Sequence, residues 1–168
     1  MENPSKTLFD CQRMFRHACA FAECADLALK KFRHDSADIE WYAEPATVNL
    51  AFACEVFLKA LLNYHDIPLK RQHKIKELYE LLPDKLKASV KQTTIANYGG
   101  MWEDAFGHEL LDNISDAFVD WRYSYEIVGT KRASMQINIG FLTAFRNALR
   151  EACCQLFFGK TWEEYLAN

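Results

Sequence analysis

Apolar residues recur every three or four positions along most of the chain, which is the period of amphipathic α-helices. The predicted helices cover 7–33, Pro45 to about Tyr64, 73–82, 84–96, 107–126, about 133–158 and 161–166. Breaks are predicted at the polar loop 34–44, at Pro83, at the hinge Gly99-Gly100 and at the turn 129–132. Strand-like alternation is nearly absent. The pattern therefore predicts an all-α, up-and-down bundle of four to five main helices with short extra helices.

Length and composition agree with this class. The 168 residues fit one domain over 1–168, and half of them are apolar, enough to form a core. The net charge of -3 gives no support for strong non-specific DNA binding. No run approaches the roughly 20 apolar residues of a membrane span, and the polar N-terminus does not resemble a signal peptide. We therefore expect a cytoplasmic protein that does not bind membranes.

The second predicted helix carries the most informative polar pair. Glu55 and Lys59 share a helix face with Leu58 and Leu62, because their spacings are three or four residues. Two interpretations stay open. The pair is either an ion pair at the solvent edge, worth about 0.2–0.5 kcal/mol in an isolated helix, or a partly buried pair that lines a groove and requires further partners.

Two other segments supply candidate chemistry. His73 opens the short third helix, where it is either an ordinary surface residue or a donor to a phosphate or to Glu55. Arg122 and Tyr123 end the helix predicted at 107–126. The helix dipole stabilises a cation at this end of a helix in any protein. An arginine among aromatic side chains is also suited to stacking on bases and to binding phosphate.

Several kinds of site are not predicted. The chain has no glycine-rich phosphate loop and no recognisable Ser/His/Asp signature. A di-iron bundle site needs Glu-x-x-His, and none of the five histidines has glutamate three residues before it. The six cysteines fall in helical patterns and form no C-x-x-C pair, so we expect small buried apolar residues. We predict no metal site and no cofactor.

The stretch from Ala46 to Leu82 and one later position resemble the HEPN family. Within that stretch the matching segments are residues 49–62 (NLAFACEVFLKALL) and 73–79 (HKIKELY), and the later position is Trp121-Arg122-Tyr123. About 40 residues match in detail. The resemblance implies a compact helical bundle, commonly a homodimer, that acts on RNA or binds nucleotides in toxin–antitoxin, phage-defence or RNA-processing systems. It also implies that Glu55, Lys59, His73 and Arg122 cluster at one polar site.

The chain departs from the ribonuclease members of that family. They carry an arginine followed, after four to six intervening residues, by a histidine. No histidine follows Arg122 through Gly129, and His17 stands one residue too close to Arg13. Metal-independent RNA cleavage by the usual pair is therefore not expected.

Three functions remain as hypotheses. The first is an RNA- or nucleotide-binding module in which Lys59, His73, Arg122 and Tyr123 contact the ligand and Glu55 holds the cations. The second is a divergent ribonuclease, with His73 as acid or base and Arg122 stabilising charge at the phosphate. The third is a structural dimerisation domain. We expect a homodimer, because the aromatic residues near the C-terminus exceed what one core accommodates, and an antitoxin or a nucleotidyltransferase is a possible partner protein.

Overall fold

The computed structural model describes residues 4–34, 39–68, 71–99, 106–122 and 137–167. Nearly all of these residues are helical. No strand occurs within these ranges, and the predicted all-α class is confirmed. A π-helical turn spans Phe106–Leu110. The α-helices are α1 (Pro4–His34), α2 (Ile39–Tyr64), α3 (Ile75–Glu80), α4 (Asp84–Tyr98), α5 (Leu111–Ser115), α6 (Ala117–Arg122), α7 (Ile139–Phe158) and α8 (Trp162–Leu166).

The long helices α1 and α2 pack against each other in opposite directions. Phe15 of α1 meets Phe57 of α2 with ring centroids 5.8 Å apart. Further along α1, Phe21 meets Phe52, which comes earlier in α2, at 4.5 Å. Contacts that advance along one helix and recede along the other define an antiparallel pair, as expected of two helices separated by only four residues in the sequence.

Helix α7 is also antiparallel to α1. Gln12 near the start of α1 donates from Nε2 to the carbonyl of Phe157 near the end of α7. Asp26, late in α1, pairs with Arg146 in the first half of α7. On its other side α7 packs along α4. Side chains from the three helices α1, α2 and α7 therefore form the central core.

Helix α2 lies at the centre of the bundle and is buried on several sides. Beside α1 and α7 it contacts α3 and α6. A helix that is apolar all round is typical of such a position. The span Tyr42–Tyr64 is long and apolar enough to cross a membrane, with two thirds of the window (67%) buried in the fold. The expectation that no apolar run approaches the length of a membrane span is therefore corrected. A buried helix at the centre of a bundle meets the same criteria of length and apolar character.

The prediction that α2 begins at Pro45 is wrong. The helix begins at Ile39, so Pro45 lies inside it. Of the predicted loop 34–44, residue 34 and residues 39–44 are helical, and 35–38 lie outside the described residues. Proline inside a helix costs about 3 kcal/mol relative to alanine. Tyr42 and Ala43 are partly buried ahead of it, and tertiary packing of this kind routinely outweighs local propensity.

The predicted long helix over 107–126 is interrupted. A π-helical turn leads into α5, and Asp116, with φ -98° and ψ 7°, separates α5 from α6. Residues in this region of φ/ψ space end one helical run and redirect the chain. Residues 123–136, which include the predicted turn 129–132 and the predicted start of the last long helix, lie outside the described residues.

Other predicted boundaries agree closely with the structure. Gly99 ends α4 in the left-handed conformation (φ 79°), and Gly159 ends α7 in the same way (φ 65°). Thr161 begins α8 with a capping box. Glycine and threonine thus mark these helix ends where the sequence pattern places them. The start of α7 differs from the predicted start near 133, because 137–138 are not helical and Asn138 caps a helix that begins at Ile139 by accepting a hydrogen bond from the backbone of Phe141.

The aromatic residues near the C-terminus pack within the bundle. Phe15 of α1 is surrounded by four of them, with ring centroids 5.3–6.4 Å away, namely Phe157, Phe158, Trp162 and Tyr165. The premise that these residues cannot fit one core is wrong, because α8 folds back over Phe15. The homodimer then rests on the family resemblance alone and stays a prediction.

Candidate functional site

A buried carboxylate lies at the centre of the candidate site. Glu55 on α2 is 2% exposed, and its Oε1 accepts a hydrogen bond of 2.6 Å from Nζ of Lys59, one turn further along the helix. The same oxygen lies 3.0 Å from Nδ1 of His73. Within the described part of the chain, Oε2 of Glu55 has no hydrogen-bond partner. Of the two sequence interpretations, the structure shows the buried pair rather than the ion pair at the solvent edge.

The segment before α3 holds His73 over this carboxylate. The predicted helix 73–82 is shorter, since α3 runs from Ile75 to Glu80. Oε1 of Gln72 accepts from the backbone N–H groups of His73 and Lys74 at 2.9 and 3.0 Å, which fixes the turn. The His73 side chain is 55% exposed while Nδ1 faces Glu55. Because a carboxylate only accepts, Nδ1 carries the proton, and Nε2 is the ring nitrogen left for a ligand.

Helix α6 brings an arginine to the same side of the bundle. The Phe118 ring stacks on Phe52 of α2, with centroids 4.9 Å apart and planes 24° from parallel. The His73 ring lies 6.3 Å from Phe118, and Cζ of Arg122 lies 5.7 Å from the centroid of the same ring. Arg122 itself is exposed. We call this surface the His73–Phe118–Arg122 face.

Most of the predicted site residues come together. Glu55 is in direct contact with both Lys59 and His73, and Arg122 joins them through the Phe118 ring. Tyr123 lies outside the described residues. Phe118 was not identified from the sequence as a residue of the site. Its spacing of four from Arg122 is the signal that could have found it, because residues four apart share a helix face.

Two lysines beside His73, Lys74 and Lys76, pair with carboxylates of α5 and of the residue that follows it. Nζ of Lys74 lies 3.5 Å from Asp116, and Nζ of Lys76 lies 2.5 Å from Asp112. A track of unpaired cations, which non-specific binding of a long polyanion requires, is therefore not formed by these residues. This pairing of lysines with carboxylates fits contacts to a base and one or two phosphates better than contacts along a duplex.

The cysteines are mostly withdrawn from solvent. Burial raises the pKa of Cys54 to about 12, that of Cys154 to about 12 and that of Cys19 to about 11. Protonated buried thiols are inert. Cys24 alone among the six is exposed. Within the described residues, no group of three or more histidine, cysteine or acidic side chains is placed to hold a metal ion.

This arrangement predicts the thiol reactivity of the folded protein. One thiol per chain, that of Cys24, should react quickly with Ellman's reagent at neutral pH, and all six should react in denaturant. The other five react slowly because the reagent attacks the thiolate, which burial suppresses. Cys24→Ser serves as the control and should remove the fast phase. Two or more fast thiols in the native protein would contradict the described packing.

Comparison with protein-family models, with curated proteins and with solved structures found no match to this chain. The all-α class therefore rests on the structure itself. The HEPN resemblance rests on the residues that carry it, at 49–62, at 73–79 and around Arg122.

Proposed function

We propose that the chain is an RNA- or nucleotide-binding module whose ligand site is the His73–Phe118–Arg122 face. The observation that carries the proposal is the pairing of His73 with Glu55. A buried carboxylate orients a half-exposed imidazole, next to an exposed guanidinium that lies over an aromatic ring. Ring and guanidinium surfaces stack on bases, and the guanidinium also binds phosphate oxygens in a bidentate manner.

The exposure of this face favours ligand binding over a purely structural role. A structural network buries its charged groups and pairs every donor. Glu55 and Lys59 fit that description in part, but His73 is 55% exposed and Arg122 is exposed. The buried pair therefore acts as the support of the site, and the exposed pair as its binding surface. The HEPN resemblance adds the expectation of RNA or nucleotide as ligand, of an antitoxin or nucleotidyltransferase partner, and of a toxin–antitoxin or phage-defence setting.

Binding of a short, fluorescently labelled single-stranded RNA tests the proposal directly. Arg122→Gln should weaken binding by about tenfold, because a hydrogen bond to a charged group contributes about 1.5–3 kcal/mol. Fluorescence anisotropy gives the affinity, and thermal unfolding should show little change in Tm. Arg13→Gln on the exposed side of α1, where Arg13 pairs with Asp10, is the matched control and should bind as the original chain does.

Two results would contradict the proposal. Equal RNA affinity of the original chain and of Arg122→Gln would remove Arg122 from any ligand site. A large fall in Tm for Arg122→Gln, with no RNA binding by the original chain, would support the structural alternative instead.

A catalytic role for the same residues is the second candidate, and the Glu55–His73 pair is the observation that favours it. The contact of Nδ1 with Glu55 leaves Nε2 of His73 facing away from the carboxylate, in the position that a general base needs. Incubation of the labelled RNA with the protein and excess EDTA tests this role. Cleavage that His73→Asn abolishes would establish an enzyme, whereas RNA left intact at stoichiometric protein would exclude metal-independent cleavage and leave binding.

A further inference from the structure

Two arginines lie inside the seam between α1 and α7, away from the residues of the His73–Phe118–Arg122 face. Arg146 is 3% exposed, and Arg150, one turn later on α7, is partly buried. Charges four residues apart on one helix are neighbours, and two like charges in a poorly hydrated seam repel each other. This arrangement requires negative charge nearby.

Among the described residues of the seam, one carboxylate forms an ion pair with either guanidinium group. Asp26 on α1 accepts from Nη1 and Nη2 of Arg146 at 3.0 and 2.9 Å. Within the described part of the chain, neither guanidinium has another carboxylate within 4.0 Å. Glu151 stands next to Arg150 in sequence, but its two oxygens accept from the side chain of Gln155 and from the backbone N–H of Trp162. The cluster therefore carries an excess of positive charge.

Neighbouring thiols do not offset this charge. Cys19 and Cys154 both lie near enough to Arg150 to influence it electrostatically. Burial raises the pKa of Cys19 to about 11 and that of Cys154 to about 12, so both are neutral at physiological pH. Burial, followed by the charge of Arg146, lowers the pKa of Arg150, but an arginine stays protonated in proteins.

Both arginines also have an unused hydrogen-bond donor. The Nε–H groups of Arg146 and Arg150 are buried and lack an acceptor among the described residues. The Arg150 guanidinium lies 4.1 Å from the centroid of the Trp162 ring, and its Nη2 donates to Asn147. A guanidinium stacked on an aromatic ring keeps the edges of its plane for oxyanions. Buried donors without acceptors are rare in proteins and are usually satisfied by water, an ion or a ligand.

We propose that Arg146 and Arg150 form a binding site for the phosphoryl group of a small molecule, between α1 and α7 and beside Trp162. A phosphoryl group provides the missing acceptors and the missing negative charge together, whereas water provides acceptors only. A small ligand fits better than a nucleic acid strand, because the guanidinium groups lie within a helix seam and do not form an exposed track. This site is independent of the proposed RNA-binding face.

Inorganic phosphate is the probe that tests the site. At constant ionic strength, millimolar phosphate should raise Tm in a saturable manner, since a ligand that binds only the folded state stabilises it. Arg150→Gln should weaken phosphate binding at least tenfold. Asp26→Asn, which removes the competing carboxylate, should tighten it severalfold. Arg13→Gln, which alters an exposed arginine of α1, should leave phosphate binding unchanged.

A second measurement does not depend on any variant. In the original chain, the Nε–H resonances of Arg146 and Arg150 should shift with phosphate along the same saturation curve as Tm. Acetate at equal ionic strength should shift them less, which distinguishes a phosphoryl site from a general carboxylate site.

Three outcomes would overturn the proposal: unchanged Nε–H resonances, a rise in Tm that does not saturate, or equal phosphate affinity in Arg150→Gln and the original chain. Each would mean that water satisfies the two donors. None of them would bear on RNA binding, which depends on Arg122.

Discussion

Replacing Lys59 by methionine is expected to lower the free energy of unfolding by about 3 kcal/mol, the lower end of the range for breaking a buried ion pair. The reason is the position of its partner. Glu55 is 2% exposed and cannot turn to water, so the variant leaves a buried carboxylate with His73 as its remaining donor. Urea denaturation at neutral pH, with a common m-value for both proteins, measures the difference.

Removing the carboxylate of the pair should lower the free energy of unfolding less than removing the lysine. Glu55→Gln removes the buried charge, and the Lys59 ammonium, whose side chain is 20% exposed, can extend to solvent along its flexible stem. We expect a loss of about 1 kcal/mol, the size of an ordinary hydrogen bond. Lys87→Met is the matched control, because Lys87 is similarly exposed (23%) but pairs with the exposed carboxylates of Glu80 and Asp84. A loss in Lys59→Met no larger than in this control would contradict the buried pair.

Asp26→Asn should also destabilise the fold strongly, by about 3 kcal/mol, because it leaves the charge of Arg146 without a counter-ion in the interior. Arg146 is 3% exposed, whereas Asp26 is 40% exposed and can be hydrated. Arg146→Met should therefore cost less than Asp26→Asn, although Arg146→Met removes both hydrogen bonds and the amide oxygen that Asp26→Asn leaves can still accept one. Chemical denaturation of both single variants and of the double variant gives the coupling energy of the pair.

Asp10→Asn provides the control for this comparison. Asp10 pairs with Arg13 on the outer face of α1, where both side chains are substantially exposed. Exposed ion pairs contribute about 0–1 kcal/mol, so the control should change stability little. A larger loss of stability in Arg146→Met than in Asp26→Asn would contradict the account, because the difference in burial between the two side chains would then not determine the cost of breaking the pair.

The sequence predicted the helices well where hydrophobic period and end signals agreed. Gly99 and Gly159 end α4 and α7 in the left-handed conformation, and Thr161 begins α8. It was less informative where packing overrides local preference. Pro45 indicated a helix start, but α2 begins at Ile39. Asp116 interrupts a segment whose apolar period is continuous, and nothing in that period shows the interruption.

Within helices, the period gave the element but not always the buried face. Met14, Phe21 and Phe9 follow the apolar period of α1, but Met14 and Phe21 are only partly buried and Phe9 is largely exposed. The fully buried positions of α1 include Ala18 and Ala25, which follow the same period, and also Cys11 and Phe15. The apolar face of α1 is therefore wider than its contact with the core, and the tertiary partners decide which of its residues are fully buried.

For the site, local spacing was sufficient only on α2. Glu55 and Lys59 are one turn apart, so their pairing follows from helix geometry. The contact of His73 with Glu55 depends on the path of the chain between α2 and α3, which the sequence did not specify. The pairing of Asp26 with Arg146 joins positions 120 residues apart. No local pattern predicts such a contact, and the phosphoryl site inferred beside it has no motif in the sequence.

Residue-resolved NMR titration with the short single-stranded RNA tests the proposed binding surface most directly. The backbone resonances of His73, Phe118 and Arg122 should shift together and saturate, while those of Val90 and Lys91 on α4 should stay in place. That result would locate the ligand on the His73–Phe118–Arg122 face. Saturable shifts confined to other parts of the chain, or no shifts at all at high RNA concentration, would contradict the proposed function.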